Sequence, residues 1–293
     1  MYTGTVNAHL RGLFALTLVT LIWGSTFVVV KGALEQFPPS LLMLLRFLVG
    51  ALFFFAFWKR ARGAWGPGFE LALWAFLGYA TQTVGLLYTT AGRSAFITAL
   101  SVVLVPVIAG SLGRRVPVWV WLGALASFVG VGLLAYDGSP PNAGDFWTLI
   151  TAVTYAIYIL RLELHTSLYD PFALSLTQLV GLSLFVGAWA WASGDLAALG
   201  GLEVPWGAVL YLGVAATALT TWLMALGQRS VSAPEAAVIY SMEPVWAATF
   251  AYFVLGEALG LRGILGGAMV VLAVLLVQWS AAAAGTGRDR AAG

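Results

Sequence analysis

Residues Gly12–Lys31 read GLFALTLVTLIWGSTFVVVK: twenty positions with no charge until the last, entered just after Arg11. At 1.5 Å of helical rise per residue this stretch is about 30 Å long, the thickness of a bilayer's hydrocarbon core. Nine further stretches have the same character. They are Pro39–Trp58, Glu70–Thr90, Ser94–Leu112, Val118–Tyr136, Asp145–Glu163, Pro171–Ala192, Pro205–Leu226, Glu235–Leu255 and Leu261–Trp279. Because many spans follow it and no small-residue cleavage site follows the first apolar run, that run reads as span 1 and not as a signal peptide.

Composition points the same way. The chain has 293 residues, 61% hydrophobic and 9% charged, with a mean hydropathy of +0.93. A soluble domain carries about 25% charged residues to cover its surface, so this chain needs a lipid bilayer as its solvent. A net charge of +2 with no basic stripe excludes nucleic-acid binding. Cysteine is absent and only two histidines occur, which removes disulfide frameworks, thiol catalysis and most histidine chemistry.

The basic residues orient the spans. Arg11, Lys59, Arg60, Arg62, Arg114, Arg115, Arg161, Arg229, Arg288 and Arg290 fall on the side of the two termini, and Lys31, Arg93 and Arg262 on the other. Ten against three predicts cytoplasmic termini. The opposite connections carry acids instead, among them Glu35, Asp137, Asp145, Asp195, Glu203 and Glu257. Trp58, Trp65, Trp119 and Trp279 sit at predicted interfaces.

An internal repeat runs through the chain. An offset of 132 residues joins Trp23–Phe27 to Tyr155–Ile159, Pro39 to Pro171 and Arg46 to Gln178; an offset of 138 joins Ser94 to Ser232 and Pro106 to Pro244. Leu122-Gly123-Ala124 likewise matches Leu265-Gly266-Gly267. These matches keep their order through two halves of five spans. Since five is odd, the second half enters the membrane inverted, the arrangement of secondary transporters with a site near the midplane. The expected fold is an all-α membrane protein of ten helices: residues 1–140 form the first repeat, 141–280 the second, and 281–293 a disordered cytoplasmic tail.

The run Trp23-Gly24-Ser25-Thr26-Phe27 with Lys31, Pro38-Pro39 with Arg46 inside its span, and Glu243-Pro244 leading to Gly256-Glu257 together resemble the EamA-type branch of the drug/metabolite transporter superfamily. The resemblance covers about Arg11 to Trp279. It implies a transporter of the bacterial inner membrane, commonly an exporter of amino acids or other small metabolites. The two halves depart from one another in one place: Gly113 follows Pro106 by seven residues and Gly256 follows Pro244 by twelve, with Arg114 where the second half has an acid.

Polar side chains mark candidate lining positions. Span 6 places Thr151, Thr154, Tyr155 and Tyr158 on one helical face, and span 8 does so with Thr217, Thr220 and Thr221. Span 3 offers Tyr79, Gln82, Thr83 and Thr89; span 4 Thr98 and Ser101; span 9 Tyr240 and Glu243; span 1 Trp23, Ser25 and Thr26. The plain alternative is that the threonines bond their own helix carbonyls and that Trp23 and Phe27 pack. Spans 5 and 10 are apolar rods with Gly123, Ser127, Gly130, Gly263, Gly266 and Gly267, suited to close helix packing.

Arg46 and Glu243 bring formal charge deep into the membrane, where each costs roughly 2.5–3.5 kcal/mol on insertion scales. Either Arg46 meets a substrate carboxylate and Glu243 exchanges protons, or the two pair with one another, or Glu243 braces backbone groups freed near Pro244. Lys31 reads as a snorkelling end-of-helix charge. Pro106 and Pro244 each remove a backbone bond and are expected to bend spans 4 and 9 as gates. The expected substrate-binding set is thus Trp23, Ser25, Arg46, Tyr79, Gln82, Thr98, Ser101, Tyr155, Tyr158, Thr217, Thr221, Tyr240 and Glu243. No catalytic residue, metal site or cofactor is expected, because His9 and His165 fall at span ends and no nucleophile–base pair is evident. A channel would need a filter loop or charge rings. The expected partners are a small-molecule substrate and the bilayer, with protons as a coupling ion, in a monomer or weak homodimer. The competing function is an exporter or flippase of cationic drugs or lipid-like compounds, for which Glu243 is the deep acid.

Overall fold

The computed structural model describes residues 3–34, 37–86, 88–89, 91–135, 140–255 and 260–291; side chains are described for most of these, though not for Phe27, Lys31, Arg93 or residues 281–291. Asp137, Gly256 and Glu257 lie outside the described residues. The described chain is helical throughout, with no strand. Its helices are α1 (Thr3–Leu34), α2 (Pro39–Phe54, continued as a tight 3₁₀ segment over Phe55–Ala61), α3 (Trp65–Leu86), α4 (Ala91–Thr98), α5 (Ser101–Ser111), α6 (Val118–Ala135) and α7 (Ala143–Thr166). There follow α8 (Pro171–Ala192), the single-turn α9 (Asp195–Ala198), α10 (Trp206–Leu210), α11 (Thr220–Gly227), α12 (Ala233–Tyr240), α13 (Glu243–Phe250) and α14 (Leu261–Ala291).

Local sequence explains where these helices start. Asn142 caps α7, accepting from the Asp145 amide while Asp145 takes the Asn142 amide. Asp170 caps α8 ahead of Pro171, whose fixed φ suits the first turn. Ser232 and Glu235 form the same reciprocal box at α12. Gly113 adopts φ +78°, a left-handed turn open to glycine at little cost, which closes α5 and leads into α6 within a few residues.

Among the described residues, eight helical segments are long and apolar enough to cross a membrane, and Phe96–Ser111 is a shorter apolar helix. The third sequence span, α3, is 22 residues long but carries Glu70, Thr81, Gln82 and Thr83, which lower its hydropathy. It is flanked by α7 and α8.

Spans 4, 8 and 9 are not plain helices. Span 4 is interrupted at Ala99–Leu100, where the amides of Val102 and Val103 bond the carbonyls three residues back, at 3.0 Å each. The expected bend at Pro106 therefore lies upstream of it, and α5 continues through the proline. The ring crowds the Val102 carbonyl four residues earlier, so the tightening is taken up in the preceding turn. Span 9 is interrupted at Ser241–Met242, directly before Pro244, which sits in the first turn of α13 where its missing N–H has no bond to lose. Tyr211–Leu219, between α10 and α11, is a π-helical segment, a form concentrated at functional sites. At the C-terminus α14 runs on to Ala291. Ala281–Ala284 is a run of the strongest helix former, and it extends the preceding helix.

Among the described residues, large apolar side chains face outward while many hydroxyls and amides are buried between the helices. Phe253, Trp191 and Trp279 are more than 70% exposed, while Thr148, Thr151, Ser175, Thr177, Gln178 and Thr220 are buried. Such an apolar exterior would aggregate in water and fits hydrocarbon surroundings. α6 packs along α14, where the Gly130 Cα faces the Gly266 carbonyl with no room for a side chain. This pair forms one wall. α1 packs on α11, α12 and α13, and α7 on α3, α4 and α5, so that these helices surround the middle of the bundle.

Candidate functional site

Eight of the sequence-selected residues come together in mid-bundle, from six of the sequence spans. On α2, Arg46 donates from Nε to the Thr217 hydroxyl at 2.9 Å and from Nη2 to the Ala216 carbonyl at 3.4 Å. Both acceptors belong to the π-helical segment. Its guanidinium also lies 5.4 Å from the Phe47 ring centre. Phe47 leads to Tyr79 at 5.6 Å and Tyr79 to Tyr155 at 6.0 Å, edge to face. Gly78 is required there, because any side chain would meet the Tyr155 ring. Opposite, Trp23 lies 5.9 Å from Tyr240 and donates from Nε1 to the Thr220 hydroxyl at 3.3 Å. Tyr158 accepts from the Gln178 amide at 2.9 Å.

Arg46 and Glu243 form no ion pair with one another. Glu243 opens α13 with its carboxylate in no hydrogen bond or ion pair to a described residue. Tyr79 and Tyr155 lie within electrostatic reach of both charges. Arg46, Tyr79, Tyr155, Tyr240 and Glu243 keep part of their surface accessible although they sit between helices, as groups do that line a space. Three buried polar atoms nearby have no protein partner: the Tyr240 hydroxyl, Trp246 Nε1 and Gln178 Oε1. Unpaired buried groups of this kind need water or a ligand.

The other selected residues make contacts of their own. Gln82 donates to Thr98 at 3.4 Å, tying α3 to α4. Ser101 is half-buried at the start of α5 and Thr221 is buried in α11. Ser25 pairs with the Tyr211 hydroxyl at 2.5 Å, a partner that sequence reasoning did not select. The threonines divide. Thr151 and Thr154 bond carbonyls of their own helix and are buried, Thr151 also meeting the Thr81 hydroxyl of α3 at 2.8 Å, so Tyr155 alone of the span 6 stripe keeps accessible surface; Thr217 and Thr98 receive bonds from other helices. Trp246 was also missed, though it stands three residues after Glu243 and so shares its helical face.

A second polar group gathers at the ends expected to be cytoplasmic. Glu70 of α3 takes Arg161 Nε and Nη2 and His165 Nε2 of α7. Arg114 grips Glu163 with two nitrogens, and Arg60 lies 3.8 Å from Asp170. Sequence reading counted these arginines only as topology signals; the fold gives each an acid. At the other end, the Asp195 carboxylate accepts from Ser40 and from Ser193.

The EamA-like transporter family model matches the chain twice, over residues 10–136 and 142–279. An uncharacterized transporter of Archaeoglobus fulgidus is 34% identical over 274 residues, covering 90% of this chain and 84% of its own length. The uncharacterized transporter YdfC of Bacillus subtilis is 28% identical, with 87% of each chain covered. A crystal structure of another protein shares the fold at a TM-score of 0.76 and 18% identity, covering 92% of this chain and 97% of the other. With mid-bundle charges, an apolar exterior and a family match along nearly its whole length, this chain belongs to the EamA-like transporter family and is a multi-pass membrane transporter.

Proposed function

We propose that the protein is a ten-span secondary transporter of the inner membrane, built from two inverted five-span halves, that exports amino acids or related zwitterionic metabolites by alternating access. The carrying observation is that Arg46 and Glu243 face the same tyrosines yet do not neutralise each other. A substrate carboxylate completes the donors of Arg46, whose Nη1 has no acceptor among the described residues; a substrate ammonium completes Glu243. Bidentate recognition of carboxylates is the guanidinium's particular strength. The aromatic rings Trp23, Tyr79, Tyr155 and Tyr240 supply apolar walls for the substrate's side chain.

The twofold family match, whose ranges begin 132 residues apart, supports the repeat reading. The ten-to-three distribution of basic residues supports cytoplasmic termini. Interruptions before Pro244 and at Ala99–Leu100 supply hinge points in one helix of each half, where alternating access needs them. Export of cationic drugs is a second reading, favoured by the unpaired Glu243 beside Tyr240 and Trp23 and opposed by the positive charge of Arg46.

Counterflow in proteoliposomes tests the assignment. Radiolabelled amino acids are challenged with zwitterions, with their decarboxylated amines and with their deaminated acids. Competition by zwitterions and failure of both truncated series supports the proposal; competition by amines alone transfers the protein to the cationic class.

A further inference from the structure

A mostly apolar groove of about 440 Å³ opens on the outer surface between α1 and α11, lined by Leu10, Arg11, Phe14, Ala15, Leu223 and Leu226. That size falls in the range of small-molecule sites. Its rim is exposed where a soluble protein would cover it, Phe14 at 71% and Leu10 at 47% accessible, while Ala15 and Leu223 lie buried beneath. The charge is confined to one end. Arg11 is exposed there, and Arg229 is exposed one residue before Ser230, whose hydroxyl meets Gly12. Neither arginine forms an ion pair with a described residue. Glu235, the neighbouring acid, is turned to the Ser232 amide and hydroxyl at 3.0 and 2.8 Å. His9 adds a third nitrogen base at this end, its Nδ1 on the Ser230 carbonyl at 2.7 Å.

An apolar trough that ends in unpaired guanidinium groups matches a molecule with a long hydrocarbon chain and a single anionic head. We infer that the α1–α11 groove is a specific site for an anionic phospholipid, its phosphate on Arg11 and Arg229 and one acyl chain along Phe14, Ala15, Leu223 and Leu226. Basic pockets between membrane helices on the cytoplasmic side select such headgroups, so the site also follows the orientation given under the proposed function. The same two helices cross at small residues: Gly12 and Gly227 approach so closely that a side chain on either would meet the other's carbonyl, at 2.9 and 3.1 Å. α1 and α11 come from opposite halves of the chain, and a lipid bridging them holds the halves together at this end.

Thermal unfolding of the full-length protein in neutral detergent micelles tests the site without any transport measurement or membrane orientation. Phosphatidylglycerol is expected to raise the unfolding temperature by roughly 2–4 °C at saturation. Phosphatidylcholine and soluble glycerol phosphate are expected to leave it unchanged. Arg11→Gln with Arg229→Gln, both exposed and so compatible with folding, should abolish the phosphatidylglycerol shift, and Leu226→Asn should weaken it. An equal rise with phosphatidylcholine, a rise with glycerol phosphate, or a full shift in the double variant each overturns the assignment. Failure here leaves the transport reading standing, and failure in the counterflow assay leaves this site standing.

Discussion

Replacing Glu243 with Gln separates a residue kept for a ligand from one kept for the fold. Breaking a buried ion pair by removing one partner costs about 3–5 kcal/mol. Glu243 has no such partner among the described residues, so Glu243→Gln is expected to change stability by less than about 0.5 kcal/mol. Arg46→Gln is different, because it removes the 2.9 Å bond to Thr217 and the 3.4 Å contact with the Ala216 carbonyl; a charged hydrogen bond contributes about 1.5–3 kcal/mol. Combined, the two changes should add to within about 0.5 kcal/mol, as unconnected sites do. Binding should behave otherwise. Losing a charge-assisted bond to a substrate ammonium weakens affinity by about 1.5–3 kcal/mol, which is roughly 10- to 150-fold. The same change should leave a deaminated analogue's weak binding unaltered. Thermal unfolding in micelles with and without ligand reads both quantities on one preparation. A loss of several kcal/mol in Glu243→Gln that disappears in the Arg46→Gln background would establish a mutual pair and refute the zwitterion site.

Gly24→Ala should destabilise the protein by about 1–3 kcal/mol and slow transport, because a Cβ there meets the Trp246 side chain and, at 2.9 Å, the Ala247 amide one turn beyond Glu243; unaltered unfolding and transport would show that α1 and α13 are farther apart. Pro244→Ala should slow counterflow more than it weakens substrate affinity, by allowing helix to continue across Ser241–Met242; an unchanged rate at normal expression would make Pro244 a packing residue. Asp195, outside the spans, has its carboxyl held below the usual 3.8 by hydrogen bonds from Ser40 first and Ser193 second. A carboxyl depressed on folding stabilises the native state above its unfolded value, and that stabilisation is lost as pH falls from about 4. Unfolding temperatures of Asp195→Asn should therefore lie below those of the parent at pH 6 and converge with them in acid; parallel curves would count against the contact. Reporter fusions after Gly113 and after Gly194, both left-handed turn residues, should report opposite sides of the membrane, inside and outside in that order; matching signals would overturn the topology.

Several features needed no coordinates. Runs such as Gly12–Lys31 can satisfy their backbone in hydrocarbon only as helices, so apolar length alone sets the class of fold. The ends of α8 and of α6 follow directly from Pro171 and Val118 because caps and turns are local. The family's motifs, read in order, carried the transporter assignment. Arg46 and Glu243 were conspicuous for the same reason that lipid makes charge expensive.

What sequence could not decide was company. Arg46 had two possible partners, a substrate carboxylate or Glu243, and only the packing of α2 against the π-helical stretch of the eighth span gives it Thr217 and the Ala216 carbonyl. The same stripe of span 6 holds Thr154, which turns back on its own helix, Thr151, which also meets the Thr81 hydroxyl of α3, and Tyr155, which reaches Tyr79. Periodicity gives all of them one face and says nothing of which groups find a bond within reach. The interruption at Ala99–Leu100 carries no proline or glycine of its own. Periodicity and composition are properties of one strand of chain, whereas partnership depends on distances between residues far apart in sequence, which only the packed helices fix.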